Sequence, residues 1–428
     1  MPLKLFDTIL KLQGFETDKA RMAFDILDLG DIENQQQAIL KYHFTNNHFY
    51  NSLVTDKTVS WEKLPVLTKQ NLQQALHKRL SKGFTTKNIF KGKTSGSSGH
   101  PFTYAKDKYA HAMTWAAFHK AYRQHGIDLN TSLQARFYGI PLSGKARYLE
   151  LVKDFVSYRK RFPIFNMNEE VLQGFVNQFS KHDFEYINGY TSSIVLLAKY
   201  CQSKNTVLKS ICPTLKISIV TSEMLFPDDR LLLEKWLGIP IINEYGASEV
   251  GLIAIQNSNG NFEINQQNLF VEVVNEDNRQ VPDGEIGRIL VTDFYNKATS
   301  MIRYEIGDMG SLETLENGTR VLKQLQGRTS DVALLPSGKV VPGLTFYYVT
   351  KAIIKEDLDI LEFIVIQKKL AFFEIQYVSK SAMNTVIKKD IQKAMDEYLE
   401  PGLSLEFTKL EVLDRSKRGK LKQFMREV

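Results

Sequence analysis

Lys216-Ile-Ser-Ile-Val-Thr-Ser-Glu-Met-Leu-Phe-Pro-Asp-Asp-Arg-Leu-Leu-Leu-Glu-Lys-Trp-Leu-Gly-Ile-Pro-Ile-Ile-Asn-Glu-Tyr-Gly-Ala-Ser-Glu249 reads as strand, helix and strand in quick succession. Residues 216–221 are a short apolar, β-branched run. Pro227 opens a helix that runs to Leu237, and Gly238 stands just past its end, the usual asymmetry of proline at the start and glycine at the stop. Pro240-Ile-Ile-Asn243 is the second strand. A strand–helix–strand unit this short implies a parallel sheet. Ligands of such sheets sit beyond the carboxyl ends of the strands. Those ends carry Thr221-Ser-Glu223 and Glu244-Tyr-Gly-Ala-Ser-Glu249, so both polar clusters are candidate binding residues by topology.

Working towards the N-terminus, residues 135–140 and 184–187 are further short strands. Asp107 caps a helix that reaches His125 and is stopped by Gly126. Residues 4–80 carry apolar side chains at helical spacing. Within them, residues 61–72 read as a turn feeding a helix, with Thr68 as its N-cap. Towards the C-terminus, residues 252–290 read as antiparallel strands turning at Asn259-Gly260 and Asp283-Gly284. Beyond Asp331 the pattern changes to two strands (361–367 and 371–377), a helix (382–398) and a strand (404–411). The expected fold is α/β. A large unit, 1–330, combines parallel or mixed sheets flanked by helices with an antiparallel region, and a small α+β unit spans 331–428.

The chain has 428 residues, 43% hydrophobic and 24% charged, which is ordinary for a globular protein with a sizeable core. The excess of 55 Lys+Arg over 48 Asp+Glu suits polyanionic small molecules such as nucleotides. No Arg/Lys stripe interleaved with aromatics indicates nucleic acid. Cys201 and Cys212 lack partners at metal spacing. Lys4, Asp7 and Lys11 break up any signal-peptide core. No 18-residue apolar run is present to span a membrane, which makes the cytoplasm the expected compartment.

A second stretch is Lys91-Gly-Lys-Thr-Ser-Gly-Ser-Ser-Gly-His-Pro-Phe-Thr-Tyr104. Its glycines and hydroxyl residues make either a phosphate cradle or a flexible linker. It is not a Walker A loop, because no Gly-Lys-Ser/Thr follows a four-residue gap.

Read in order, Thr94-Ser-Gly-Ser-Ser-Gly-His-Pro101, Glu244-Tyr-Gly-Ala-Ser-Glu249, Arg303-Tyr-Glu-Ile-Gly-Asp308, Gly327-Arg-Thr-Ser-Asp331 and Gly419-Lys420 resemble the motif set of adenylate-forming enzymes. The resemblance is greatest to the phenylacetate–CoA ligase branch, with its CapK-like and coenzyme F390 synthetase-like proteins. It runs from the glycine-serine loop to the end of the chain. It implies an enzyme that joins a carboxylic acid to AMP from ATP, releases pyrophosphate, and passes the acyl group to a thiol. CoA is the implied acceptor; a carrier protein, or an amine or hydroxyl on a sugar in polysaccharide biosynthesis, are others. Such chemistry rests on positioning and charge neutralisation.

By the same resemblance, Thr94, Ser95, Gly96, Ser97, Ser98 and Gly99 form the loop over the β- and γ-phosphates. Tyr245 stacks on adenine, bordered by Thr221, Ser222 and Glu223 and by Glu244, Gly246, Ala247 and Ser248. Glu249 holds Mg²⁺ through hard oxygen coordination. Asp308 accepts the ribose hydroxyls, and Arg328 contacts ribose or phosphate. Lys420 bridges carboxylate and α-phosphate, and Asp331 is the hinge on which the small unit swings. Tyr138, Gly139, Gly189 and Tyr190 line the acyl pocket. A buried structural tyrosine at Tyr245, a structural ion pair at Arg328 and a solvated basic tail around Lys420 are the plainer alternatives.

Two departures from the family pattern matter. Ile253-Ala-Ile-Gln-Asn-Ser-Asn-Gly-Asn-Phe-Glu263 has no Cys or His where several relatives hold zinc, so no structural zinc is expected. Leu334-Leu-Pro-Ser-Gly-Lys-Val-Val-Pro-Gly343 matches the CoA-admitting loop poorly. The alternative activities are AMP transfer to a hydroxyl, as in coenzyme F390 synthetase, and nucleotide binding without catalysis. The chain is expected to be a monomer or homodimer.

Overall fold

The computed structural model describes residues 5–26, 32–94, 102–139, 144–164, 167–328, 332–342, 345–350, 360–379, 381–414 and 424–428. The N-terminal segment folds into helices α1 (Leu5–Leu12), α2 (Thr17–Ile26), α3 (Ile32–Asn46), α4 (His48–Leu53) and α5 (Leu76–Arg79). The helix expected near residues 61–72 is absent. That stretch holds only the 3₁₀ turns Trp61–Lys63 and Asn71–Gln73. Thr68 and Asn71 close on each other, with Thr68 N and Oγ1 both donating to Asn71 Oδ1 at 2.8 Å.

Strands β1 (Ile89–Lys93) and β2 (Thr103–Asp107) form an antiparallel hairpin. It leads straight into α6 (Lys108–Arg123), whose first turn is capped as expected: Asp107 Oδ1 accepts from the N–H of Tyr109 and Ala110. Then β3 (Gln134–Phe137), α7 (Gly144–Val156), β4 (Arg159–Phe162), α8 (Glu169–Phe179), β5 (Tyr186–Tyr190), α9 (Thr191–Ser203), α10 (Leu208–Ile211), β6 (Ile217–Thr221), α11 (Pro227–Leu237) and β7 (Ile241–Ala247) alternate along the chain. Strands β4, β3, β5, β6 and β7 lie side by side and parallel. Helix α11 has the predicted bounds. Pro227 sits at its N-terminus, Asp228 and Asp229 in its first turn, and Gly238 ends it at φ +71°.

Strand β7 next turns back antiparallel into β8 (Gly251–Gln256), followed by β9 (Phe262–Ile264), β10 (Leu269–Val274), β11 (Gly287–Asp293), β12 (Tyr304–Thr314) and β13 (Arg320–Arg328). The result is one eleven-stranded sheet in the order β10-β11-β12-β13-β9-β8-β7-β6-β5-β3-β4. Gly260 and Gly284 make the predicted turns at φ +85° and +88°.

One face of the parallel half packs Phe137, Ile187, Val220 and Ile241 against α8, α9 and α11. The other packs Tyr186, Ile219 and Ile242 against Ala121 and Tyr122 of α6. Burying each such large apolar side chain contributes about 1.5–3 kcal/mol. The antiparallel half shares a core with α3 and α4.

The last hundred or so residues have a core of their own, running from Ala333 to Phe424. It is built from β14 (Val332–Leu334), β15 (Val340–Pro342), α12 (Thr345–Thr350), β16 (Ile360–Lys369), β17 (Phe372–Ser379), α13 (Thr385–Tyr398), β18 (Ser404–Leu410) and β19 (Phe424–Arg426). The sheet order there is β18-β17-β16-β19.

Candidate active site

The carboxyl ends of β5, β6 and β7 lie together, as a parallel sheet requires. Strand β5 ends at Tyr190 and α9 begins at the next residue. The Glu223 carboxylate accepts the N–H of Ser192 at 2.7 Å, and its carbonyl accepts the Thr191 hydroxyl at 3.2 Å. An anion at a helix N-terminus is stabilised there. Glu223, expected beside adenine, is therefore engaged as the cap of α9. Ser222 is exposed, with φ +70°.

Glu244, also expected beside adenine, is 9% exposed. Its carboxylate turns inward and accepts the Tyr122 hydroxyl at 2.6 Å. Burial pushes its pKa up, opposed by the Tyr122 and Thr221 hydroxyls and by Arg136.

The next residues face the other half of the sheet. Tyr245, 9% exposed, donates its hydroxyl to Asp308 Oδ2 at 2.6 Å. The register of β7 against β8 shifts after Tyr245, and a Cβ on Gly246 would stand 2.7 Å from the Gly251 carbonyl oxygen. Only glycine permits that approach. Ala247 and Ser248 follow in partly buried and exposed positions. Glu249, 5% exposed, accepts the Tyr304 hydroxyl on Oε1 at 2.8 Å. Strand β12 thus supplies one residue to Glu249 and, four positions on, another to Tyr245.

Two buried cations hold this frame. Lys106 Nζ donates to the Val250 carbonyl at 2.9 Å and lies 3.4 Å from Asp293. Arg303 Nη1 donates to the carbonyls of Glu62 and Leu64 at 2.6 and 2.9 Å, Nη2 to that of Asn278 at 2.9 Å, and Nε to Glu272 at 3.3 Å. Spacing marked neither residue. Arg303 opens a quoted motif, and Lys106 betrays itself only by burial.

The stem of the glycine-serine loop is the β1–β2 hairpin. Thr94 N–H donates to the Phe102 carbonyl, and Phe102 N–H returns to Thr94 Oγ1, both at 3.1 Å. The Phe102 ring meets Tyr304 edge-on, with centroids 6.2 Å apart, so the loop is rooted beside the partner of Glu249. Ser95, Gly96, Ser97, Ser98 and Gly99 lie outside the described residues, as do Asp331, Gly419 and Lys420. Arg328 pairs across from Asp308 through the backbone of β13.

Of the residues expected to line an acyl pocket, Tyr138 and Tyr190 have their rings 4.7 Å apart. Gly189 sits against β3, where a Cβ would come within 2.5 Å of Phe137 Cβ and its carbonyl oxygen. The Gly139 carbonyl accepts from Arg161 Nη1 at 3.0 Å. Arg136, missed in the sequence, stacks its guanidinium over Tyr138 at 4.0 Å.

Among the described residues, no group of three or more His, Cys, Asp or Glu could hold a metal ion. Mg²⁺ on a nucleotide needs only one or two carboxylates beside the phosphates. Glu249, whose Oε1 accepts from Tyr304, is a carboxylate of the kind that need calls for. Among the described residues, no helix is long and apolar enough to cross a membrane.

No family model matches the chain. It is similar to the protein CapK of Staphylococcus aureus, with 24% identity over 325 residues covering 71% of this chain and 69% of that one. Among solved structures it is similar to 2-hydroxyisobutyryl-CoA ligase, caught in a postadenylation state with an acyl-AMP. The TM-score is 0.71 at 16% identity, over 92% of this chain and 89% of that one. It is also similar to ATP-bound MatB from Rhodopseudomonas palustris, with TM-score 0.54 at 14% identity, over 76% of this chain and 65% of that one. The chain shares the mixed α/β fold of these two solved structures.

Proposed function

We propose that this chain uses ATP to convert a carboxylic acid into an acyl-adenylate with release of pyrophosphate, and then transfers the acyl group to CoA. The observation that carries this is the doubly tied frame at the end of β7. Tyr245 bonds Asp308 and Glu249 bonds Tyr304, in the fold of enzymes whose structures hold ATP, acyl-AMP or CoA.

In this reading the acid would lie beside Tyr138, Gly139, Gly189 and Tyr190, and the adenine beside Tyr245. Asp308 would accept the ribose hydroxyls, since a carboxylate takes two donors without a proton of its own. Glu249 would hold Mg²⁺, which supplies charge neutralisation at the phosphates. Ser95 to Gly99 would cover the leaving pyrophosphate. Lys420, on the small unit 331–428, would bring a cation to the carboxylate and α-phosphate. The similarity to CapK makes polysaccharide biosynthesis the setting to examine first.

ATP–pyrophosphate exchange over a panel of acids tests the first half-reaction. Folded, ATP-binding protein that exchanges with no acid would refute it. Lys420→Ala should slow exchange by orders of magnitude with ATP affinity nearly unchanged. Normal exchange by that variant would assign the residue to a solvated basic tail. CoA consumption, followed beside AMP release, separates thioester formation from AMP transfer to a hydroxyl.

A further inference from the structure

Strands β3 and β5 turn a polar row towards α6. Gln134 pairs with Tyr186 in register and Arg136 with Asn188, while Ala135 and Phe137 enter the apolar core on the opposite face. Such a row inside a protein needs partners, and most of it has them. Gln134 Nε2 donates to Asn188 Oδ1 at 3.2 Å, and Asn188 Nδ2 donates to the Ile219 carbonyl at 3.3 Å. Glu244 is held by Tyr122.

Arg136 is the exception. Its Nε is buried without a hydrogen-bond partner, and no hydrogen bond or ion pair joins its guanidinium to any described residue. What holds it is the face of Tyr138, 4.0 Å from the guanidinium carbon. A buried donor left unsatisfied is costly, so it calls for an acceptor.

The surroundings say what kind of acceptor. Arg159, half-buried on the neighbouring strand β4, is a second guanidinium close enough that Arg136 helps to depress its pKa, burial being the larger cause. The carboxylate beside Arg159, that of Asp154 on α7, is already used. Asp154 accepts from Arg159 Nε at 2.6 Å and from Arg161 Nε and Nη2 at 2.7 and 2.8 Å. Glu244 lies close enough for Arg136 to lower its pKa, but it takes its hydrogen bonds from the Tyr122 and Thr221 hydroxyls. Arg136 is thus a planar fork of donors with a like charge behind it. It stands at the carboxyl end of β3, beside the two tyrosines of the acyl side. A fork of that shape takes a carboxylate through two parallel hydrogen bonds.

We infer that Arg136 is a specificity residue that binds a second carboxylate on the acid, so that the activated substrate is a dicarboxylic acid. This rests on the reading of the site as one that adenylates a carboxylate, and it names the substrate class for that site.

The test is ATP–pyrophosphate exchange by the full chain with matched acids: succinate against butyrate, glutarate against pentanoate, terephthalate against benzoate. The wild type should prefer the diacid in at least one pair by tenfold or more in kcat/KM. Arg136→Met should shrink that ratio at least tenfold, chiefly through KM for the diacid. Arg136→Lys, which keeps the charge and loses the fork, should restore part of it. Exchange with monoacids or hydroxy acids but no preference for a diacid would overturn the inference and leave the adenylating reading standing. An equal fall for diacid and monoacid in a folded Arg136→Met would assign the residue to structure and also overturn it. No exchange with any acid would overturn both readings. If Arg136→Met fails to fold, the wild-type preference and Arg136→Lys decide.

Discussion

Arg303 offers the most severe test of how the site is held. It is wholly buried, and its guanidinium serves the carbonyls of Glu62, Leu64 and Asn278 as well as the carboxylate of Glu272. Arg303→Met keeps most of the volume and removes every donor. Breaking a buried ion pair from one side costs about 3–5 kcal/mol, because the remaining charge is stranded. Three orphaned carbonyls add to that, though not additively. An expected loss of about 4 kcal/mol is a large fraction of the 5–15 kcal/mol that domains usually possess.

The stranded charge also gives the loss a pH signature. Burial already pushes the pKa of Glu272 up, with Arg303 opposing. Without Arg303 the folded-state pKa rises further above the unfolded value. A carboxyl raised in the folded state favours folding below its unfolded pKa, and that contribution fades as pH rises through the folded pKa. The variant's deficit against wild type should therefore be smaller at pH 5 than at pH 8. Glu272→Gln in the Arg303→Met background should recover part of it at pH 8. Urea unfolding followed by tryptophan fluorescence measures all three proteins. A deficit under about 1 kcal/mol, or one independent of both pH and Glu272, would refute the reasoning.

Gly189→Ala places a methyl 2.5 Å from Phe137 and should cost about 1–3 kcal/mol, seen as a Tm lowered by several degrees; an unchanged Tm would contradict the close approach of β3 and β5. Tyr304→Phe removes the hydroxyl that donates to Glu249 without changing shape, a charged hydrogen bond worth about 1.5–3 kcal/mol. Under the proposed function it should weaken Mg-dependent exchange at least tenfold, and retained exchange would detach Glu249's orientation from catalysis. Burial lowers the pKa of His43 to about 4 and that of His111 to about 3. Both are neutral when folded and bind protons more readily when unfolded, so stability should fall as pH drops from about 6.5 towards 4. His43→Gln should flatten that acid limb, and an unaltered limb would count against it.

The parallel half was legible because it is punctuated. Pro227, Gly238 and Asp107 mark element ends by mechanisms that act locally: α6 begins where Asp107 dictates and α11 begins and ends where Pro227 and Gly238 dictate, whereas α6 stops at Arg123, two residues short of the expected His125. The turns at Gly260 and Gly284 follow from positive φ in the same way. Strand β12 was not legible as a strand. Register shifts after Met309 and Ser311 interrupt its pairing with β13, and with that the alternation of buried and exposed residues that periodicity relies on. Strand β4, Arg159-Lys-Arg-Phe162, looks like a surface charge cluster, yet Arg159 and Arg161 are half-buried and paired with Asp154 of α7.

The motifs singled out Tyr245, Glu249 and Asp308, and the sheet ties Tyr245 to Asp308 and Glu249 to Tyr304. They could not reveal that Glu223 caps a helix or that Glu244 faces Tyr122. Those facts depend on which side of a strand a residue takes and on what crosses over it, which only the assembled sheet decides.

The ties around Glu249 and Asp308 also set an order of assembly. Tyr245 and Asp308 are 63 positions apart, Tyr304 and Glu249 are 55, Lys106 and Val250 are 144, and Arg303 and Glu62 are 241. Each closure loses chain entropy before any contact rewards it, so structures built from distant partners form slowly. During synthesis Trp61 to Leu64 leave the ribosome long before Arg303 exists to satisfy their carbonyls. The proposed nucleotide site is thus implied to be among the last parts of the eleven-stranded sheet to condense, and under the proposed function binding ATP would report a completed fold rather than help to start one.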